Sequence, residues 1–269
     1  MTDFSIDVVN LRKRLREELT AYMARPHRTA LHQPAARQEL LNIFQKSRRG
    51  ASNGWDLLNA IGKLDPKAKV NAAALKGALR DQLSPRQASR CCYCRRWMAN
   101  NGYARHIEHV LPNSEFPQFS VHFWNLAIAC PDCNLLKSDT IWGGIAKKKK
   151  RYPLPSEITT WFHPRFHDYD HHVRFVRLES NGMAVVAFIG LTNAGRFLCD
   201  NLLRHIARME LLVASNPILS GYTAALQDFQ DSQGQAAPVK GEALRKFQAE
   251  LTRSIVGLAT QPVLPPPSP

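Results

Sequence analysis

No stretch of this 269-residue chain approaches the run of about 20 apolar residues that a bilayer-spanning helix needs, so no membrane span is expected. The amino terminus lacks the apolar core of a secretory leader, because Asp3, Asp7, Arg12, Lys13, Arg14, Arg16, Glu17 and Glu18 interrupt it. Both absences point to the cytoplasm, where thiols stay reduced and closely paired cysteines favour metal over disulfide. Cysteine itself is scarce, at six residues, and no internal repeat is present apart from a doubled Cys-x-x-Cys. Acidic residues are also in short supply, 22 against 36 basic, for a net charge of +14. The shortage is local: 8 acidic residues face 17 basic ones over 1–90 and 4 face 9 over 91–151, whereas 10 face 10 over 152–269. Charge spread evenly serves solubility. Charge concentrated in the first 151 residues, beside the cysteines, suits the phosphate backbone of nucleic acid.

With 44% apolar residues, the chain can bury one large core or two small ones. Apolar positions recur at helical spacing over 4–25, up to Pro26, and the pattern predicts further helices over 36–46, 55–64 and 72–83, the last stopped by Ser84-Pro85. Residues 1–87 thus read as a basic helical region whose stripes are packing surfaces. Residues 173–178 and 183–189, joined across Glu179-Ser180-Asn181-Gly182, predict a β-hairpin with an Asn-Gly turn. A long helix is expected to open at the N-cap Thr192 and run to about Val213. Helices over 219–229 and 241–258 follow, and the proline-rich end, 262–269, is expected to be disordered.

The chemistry concentrates between Cys91 and Asp139. Cys91 and Cys94 form one Cys-x-x-Cys pair, Cys130 and Cys133 a second, with 35 residues between the pairs. A two-residue spacer lets both sulfurs of a pair face one point, and four thiolates complete a tetrahedral shell around Zn²⁺, so the ion is structural. Cys92 and Cys199 have no partner at ligand spacing and are expected as free buried thiols. His163, His167, His171 and His172 lie among aromatics with no regular ligand spacing, which favours packing over a second metal site.

Between the pairs, Glu108-His109 precedes Val110-Leu111-Pro112, Asn125-Leu126 precedes a short apolar run, and Asn134 follows the last cysteine. Such a set supplies what phosphodiester hydrolysis needs: an imidazole to deprotonate water, and a carboxylate with an amide oxygen for a hard divalent cation. The order Cys-x-x-Cys, Ile-Glu-His-Val-x-Pro, Asn-Leu, Cys-x-x-Cys-Asn-x-x-Lys-Ser-Asp resembles the HNH, or ββα-metal, endonuclease family in its zinc-stapled form, over residues 88–145. The resemblance implies His109 as general base, Glu108 and Asn134 as ligands of Mg²⁺ or Mn²⁺, Asn125 as a brace of the loop between strand and helix, and Lys137 near the scissile phosphate. Asn134 stands where many members place histidine; asparagine occurs there in the HNH domain of the CRISPR effector nucleases. Neighbours on a regular strand point to opposite faces, so Glu108 and His109 can share one phosphate only if the strand ends or bulges there. Otherwise His106, on the face of Glu108, replaces one of them. A looser similarity runs from Trp161-Phe162-His163-Pro164 through Gly190-Leu191-Thr192-Asn193 to Arg208-Met209-Glu210-Leu211. It is to the HNH subunit of Septu-type anti-phage systems, and implies an ATPase or sensor partner docked on the carboxy-terminal half.

The expected fold is α+β and mainly helical: a helical region 1–87, a ββα-metal core 88–151 stapled by a four-cysteine zinc site, a hairpin with helices over 152–261, and the tail. The expected activity is DNA hydrolysis leaving 5′-phosphate and 3′-hydroxyl ends. Two rivals stand beside it, a zinc-ribbon nucleic-acid-binding module with idle HNH-like residues and a scaffold subunit whose partner carries the activity. Lys147, Lys148, Lys149, Lys150 and Arg151 either form a solvated loop or grip phosphates. If they grip phosphates, deleting residues 147–151 flattens the fall of duplex affinity with salt, by about 0.9 in the log–log slope for each phosphate that the deletion leaves unneutralised. Anisotropy titrations of labelled duplex read this directly, and an unchanged slope returns the run to a solvated loop.

Overall fold

The computed structural model describes residues 8–24, 27, 29–49, 52–63, 68–98, 104–147, 149–180 and 183–209. The protein is α+β, about half helical, with two small antiparallel hairpins. It divides into two compact units, Met1–Phe175 with Ile189–Ile206, and Val176–Phe188 with Ala207–Pro269. Of the second unit, strand residues 176–180 and 183–188 and residues 207–209 are described. The helices expected over 219–229 and 241–258, the tail 262–269 and the Asn181-Gly182 turn lie outside the described residues. Among the described residues no helix is long and apolar enough to cross a membrane.

Four helices open the first unit: α1 (Val8–Ala24), α2 (Gln33–Arg48), α3 (Gly54–Ala60) and α4 (Ala72–Leu83). Two of their starts have a chemical cause in the sequence. The Asn53 side chain accepts from Trp55 N at 2.9 Å, and that of Asn71 accepts from Ala74 N at 2.9 Å, each satisfying an orphan N–H of the first turn. Helix α3 ends earlier than the expected 64 because the chain turns at Gly62, whose φ is +73° and where a Cβ would lie 2.8 Å from that of Asn71. Helix α4 ends at Leu83, directly before Ser84-Pro85 as expected. A 3₁₀ turn, Ser84–Gln87, follows it, since proline is tolerated at the start of a helical turn.

The functional segment is built on strand β1 (His106–His109) paired antiparallel with β2 (Leu126–Ala129), His106 opposite Ala129 and His109 opposite Leu126. All four residues of β2 are buried, as its unbroken Leu-Ala-Ile-Ala run requires. Its second edge is covered by a side chain: the Gln87 amide donates to Ile128 O and accepts from Ile128 N, both at 2.8 Å. Helix α5 (Pro131–Lys137) follows β2 directly and packs on β1.

Residues 110–125 connect the two strands, and the amino-terminal helices bind this loop. Tyr22 of α1 donates to Val121 O at 3.2 Å, Ser47 of α2 to Pro117 O at 2.8 Å, and Trp55 N of α3 to Ser120 Oγ at 3.1 Å. Inside the loop, the fully buried Asn125 fills every hydrogen-bonding valence of its amide. Its Nδ2 donates to Leu111 O (2.9 Å) and Phe119 O (3.0 Å), while its Oδ1 accepts from Leu111 N (2.7 Å) and Tyr152 Oη (3.2 Å). Behind Tyr152 stands His163. Its Nδ1 accepts from Arg165 N at 3.2 Å, so the neutral ring carries its proton on Nε2 and donates to Tyr152 Oη at 2.8 Å. His167 Nε2 reaches Ile158 O at 3.1 Å and His172 Nδ1 reaches Thr192 Oγ1 at 2.6 Å. These histidines are bonded packing residues.

The first unit also holds α6 (Tyr169–His172) and α7 (Asn193–Leu198), and the antiparallel pair of β3 (Val173–Ser180) and β4 (Met183–Gly190) belongs in part to each unit. The helix expected over 193–213 is described to Met209, as α7, a π-helical stretch Cys199–Leu203 and α8 (Arg204–Met209). The Thr192 side chain caps it by accepting from Gly195 N at 3.1 Å, and Gly195 is required because a Cβ there would lie 1.8 Å from His172 O. Asn125→Ala strands the buried N–H and carbonyl of Leu111 at once and leaves Phe119 O only its bond from His122 N, so it should cost about 3 kcal/mol in denaturant unfolding. A loss under about 1 kcal/mol would remove Asn125 from its place as the loop's brace.

Candidate active site and metal centre

Cys91, Cys94, Cys130 and Cys133 are buried, and their sulfurs all lie within 4.8 Å of one another. The first pair sits in a tight turn closed by Cys91 N to Arg96 O at 2.9 Å and Arg95 N to Cys91 O at 3.1 Å, with Arg95 in the left-handed region at φ +58°. The second pair sits on α5, where Cys130 is the N-cap and its sulfur accepts from Cys133 N at 3.5 Å. Across the cluster, Cys91 Sγ accepts from Cys130 N at 3.3 Å, and the sulfurs of Cys94 and Cys130 stand 3.7 Å apart. Four metal–sulfur bonds of about 2.3 Å in a tetrahedron put sulfurs roughly 3.8 Å apart, so the donor set fits a divalent ion such as zinc.

The protonation of this cluster points the same way. Burial pushes the Cys91 thiol up, but hydrogen bonds from Cys130, Cys133, Cys92 and Cys94 outweigh it and hold its pKa well below the usual value. Hydrogen bonding with Cys130 drives Cys94 and Cys133 up. The thiolate of Cys91 is favoured while those of Cys94 and Cys133 are opposed, the situation a divalent cation relieves. Cys92 and Cys199 are buried thiols pushed up by burial, outside the cluster.

Beside the sulfurs, β1 alternates: His106 and Glu108 on one face, Ile107 and His109 on the other. The strand ends at His109. Glu108 is 3% exposed; its Oε1 receives Lys137 Nζ at 2.8 Å and Tyr93 Oη at 3.1 Å. Burial raises the Glu108 pKa, against the downward pull of Lys137 and Tyr93. Lys137 also donates to His109 O at 3.0 Å. His109 Nε2 meets Ser120 O at 2.9 Å; a carbonyl only accepts, so Nε2 carries the proton and Nδ1 keeps its lone pair. This ring meets that of Trp55 in a T-shaped contact, centroids 4.6 Å apart. Burial lowers the His109 pKa to about 4, Lys137 and Lys76 adding to the effect and the Ser120 bond opposing it, so the ring is neutral at pH 7. Asn134 Nδ2 donates to His106 Nδ1 at 3.4 Å.

No protein-family model, no curated protein and no solved structure matches this chain. What the site does therefore rests on its own geometry. Lys137, expected against the scissile phosphate, is instead buried, its ammonium taken by Glu108 and the His109 carbonyl. The basic run divides as well. Lys147 pairs with Glu115 and Lys149 with Glu157, Lys150 and Arg151 are exposed with no ion pair to a described residue, and Lys148 lies outside the described residues. Asn125 sits in the loop, bonded to backbone and Tyr152. Sequence reasoning missed Tyr93, whose position inside the first cysteine pair was a usable signal, and Ser120, which acts through a backbone carbonyl and left none.

Cys130→Ser keeps an oxygen able to cap α5 but removes a thiolate, so any loss reports the metal. Metal analysis and thermal melting of the purified protein should find bound zinc in the wild type, and lower zinc and lower Tm together in the variant. A variant without metal that melts with the wild type would refute a structural role.

Proposed function

We propose that this protein is a metal-dependent DNA endonuclease of the HNH, ββα-metal kind. One observation carries the reading. At the end of β1, next in sequence to a buried carboxylate, stands a neutral imidazole with Nε2 committed to a carbonyl and Nδ1 free to take a proton. Such a group is a general base. In hydrolysis, water attacks phosphorus in line, its proton passes to His109 Nδ1, and the bond to the 3′ oxygen breaks, leaving 5′-phosphate and 3′-hydroxyl ends. The negative charge of an entering phosphate raises the proton affinity of the ring above its low resting value, so the proton is better held as the bond breaks.

Lys137 has a different part from the one its sequence position suggests. Its ammonium favours the ionised form of Glu108 against burial, and with Tyr93 it fixes Oε1; Oε2 takes no hydrogen bond from a described residue. Asn134 turns its Nδ2 toward His106, and its amide oxygen likewise has no described partner. These two oxygens are the donors for Mg²⁺ or Mn²⁺, which when bound offsets charge growing on the phosphate and the leaving oxygen. The four sulfurs hold structural zinc with a closed shell. The setting is the cytoplasm, and the carboxy-terminal half docks an ATPase or sensor subunit of an anti-phage system.

One observation favours a second reading. Lys137 already neutralises Glu108, as a zinc-stapled DNA-binding module without catalysis would have it. Supercoiled plasmid separates the two. The wild type should nick it with Mg²⁺ or Mn²⁺ and not with EDTA, and His109→Ala should lower the rate by about 100-fold or more while zinc content and fold persist. Undiminished cleavage by the variant would refute His109 as base, and wild-type binding without cleavage under any divalent ion would favour the binding module.

A further inference from the structure

A cavity of about 230 Å³ lies away from the sulfurs, between α2, the 110–125 loop and the end of the basic run. Its inner wall is aromatic: Phe44, Phe119, His122, Trp124 and Tyr152, with His122 stacked on Tyr152 at 4.5 Å and 6°. Around it stand Arg48, Lys150 and Arg151, all exposed and none in an ion pair with a described residue. Three cations gathered around one opening without a carboxylate repel one another, and an anion placed there relieves the repulsion. The wall is preformed, because Gln118 Nε2 donates to Lys147 O and Lys149 O, both at 3.1 Å, and so anchors the basic run beside the loop.

The polar content is specific. His122 Nδ1 accepts from Trp124 N at 3.3 Å, and burial, helped by the Arg48 charge, lowers the ring's pKa to about 4. The ring is thus neutral with its proton on Nε2, a donor that no described residue accepts. Flat π surface, one ring donor and a cationic rim together match a planar heterocycle carrying a phosphate. The volume lies below the roughly 300–1,000 Å³ of sites for larger ligands, so it suits one ring system at a time.

We infer that this cavity is a binding site for a single nucleotide, the base against the aromatic wall and the phosphate at Arg48, Lys150 and Arg151. The inference does not depend on hydrolysis at His109. The two sites are joined, however, since Phe119 lines the cavity and Ser120, next in sequence, supplies the carbonyl that orients His109. A free nucleotide and a nucleotide unit of a single strand present the same chemistry.

Titration of the full-length protein without added divalent ion, with adenosine 5′-monophosphate, adenosine and inorganic phosphate, tests it. The monophosphate should bind roughly tenfold or more tighter than either part alone. The double variant Arg48→Gln, Arg151→Gln, at exposed positions, should remove that advantage and leave adenosine unchanged. A single-stranded oligonucleotide carrying 2-aminopurine identifies the source. Quenching with affinity above that of the monophosphate assigns a base of the strand, and affinity at or below it assigns the free nucleotide. If neither the monophosphate nor the oligonucleotide binds more tightly than phosphate, or the arginine variant binds both as the wild type does, the inference is wrong.

Discussion

Four buried sulfurs, all within 4.8 Å of one another, are the constraint on which the rest of the functional segment depends. A two-stranded hairpin is marginal in water by itself, and the β1–β2 ladder is only four residues long. The sulfurs tie the 91–94 turn to the junction of β2 and α5, while Cys92 N donates to Ile128 O at 2.9 Å on the same strand. Each half of the clasp then delivers one group to Glu108: Tyr93 from within the first cysteine pair and Lys137 from the end of the helix that Cys130 caps. The carboxylate is held because the sulfurs are.

The second constraint is the inter-strand loop. Asn125 fixes it from inside, Tyr22, Ser47 and Trp55 N fix it from the helices, and its Ser120 carbonyl holds His109. The imidazole is thereby buried and neutral. A histidine whose folded pKa falls from 6.5 to about 4 supports the fold fully above pH 6.5, and that support is lost as pH drops toward about 4, because the unfolded chain binds the proton first. His122 and His167 are lowered to about 4 by burial as well, so acid acts on several points of the same unit.

The fold was readable where local chemistry decides it. Periodicity marked α2 and α4, the apolar runs on either side of Asn181-Gly182 marked the β3–β4 pair, and Thr192 marked the start of α7. The cysteine cluster was readable because spacing alone brings the sulfurs of each pair to one point. Three features were not. Lysine is rarely buried, so nothing at position 137 announced an ammonium turned inward onto Glu108. The acceptor for His109 is a backbone atom. The aromatic cavity is assembled from α2, the loop and the basic run, segments with no pattern in common along the chain.

The most direct measurement is long-range ¹⁵N–¹H correlation of the histidine rings across pH, with His109 assigned by substitution. A neutral ring protonated on Nε2, holding that state down to about pH 4, is the expected result. An Nδ1-protonated ring, or one that titrates at or above the ordinary 6.5, would mean that the clasp and loop do not deliver a free base at Nδ1, and the account would fail at its centre.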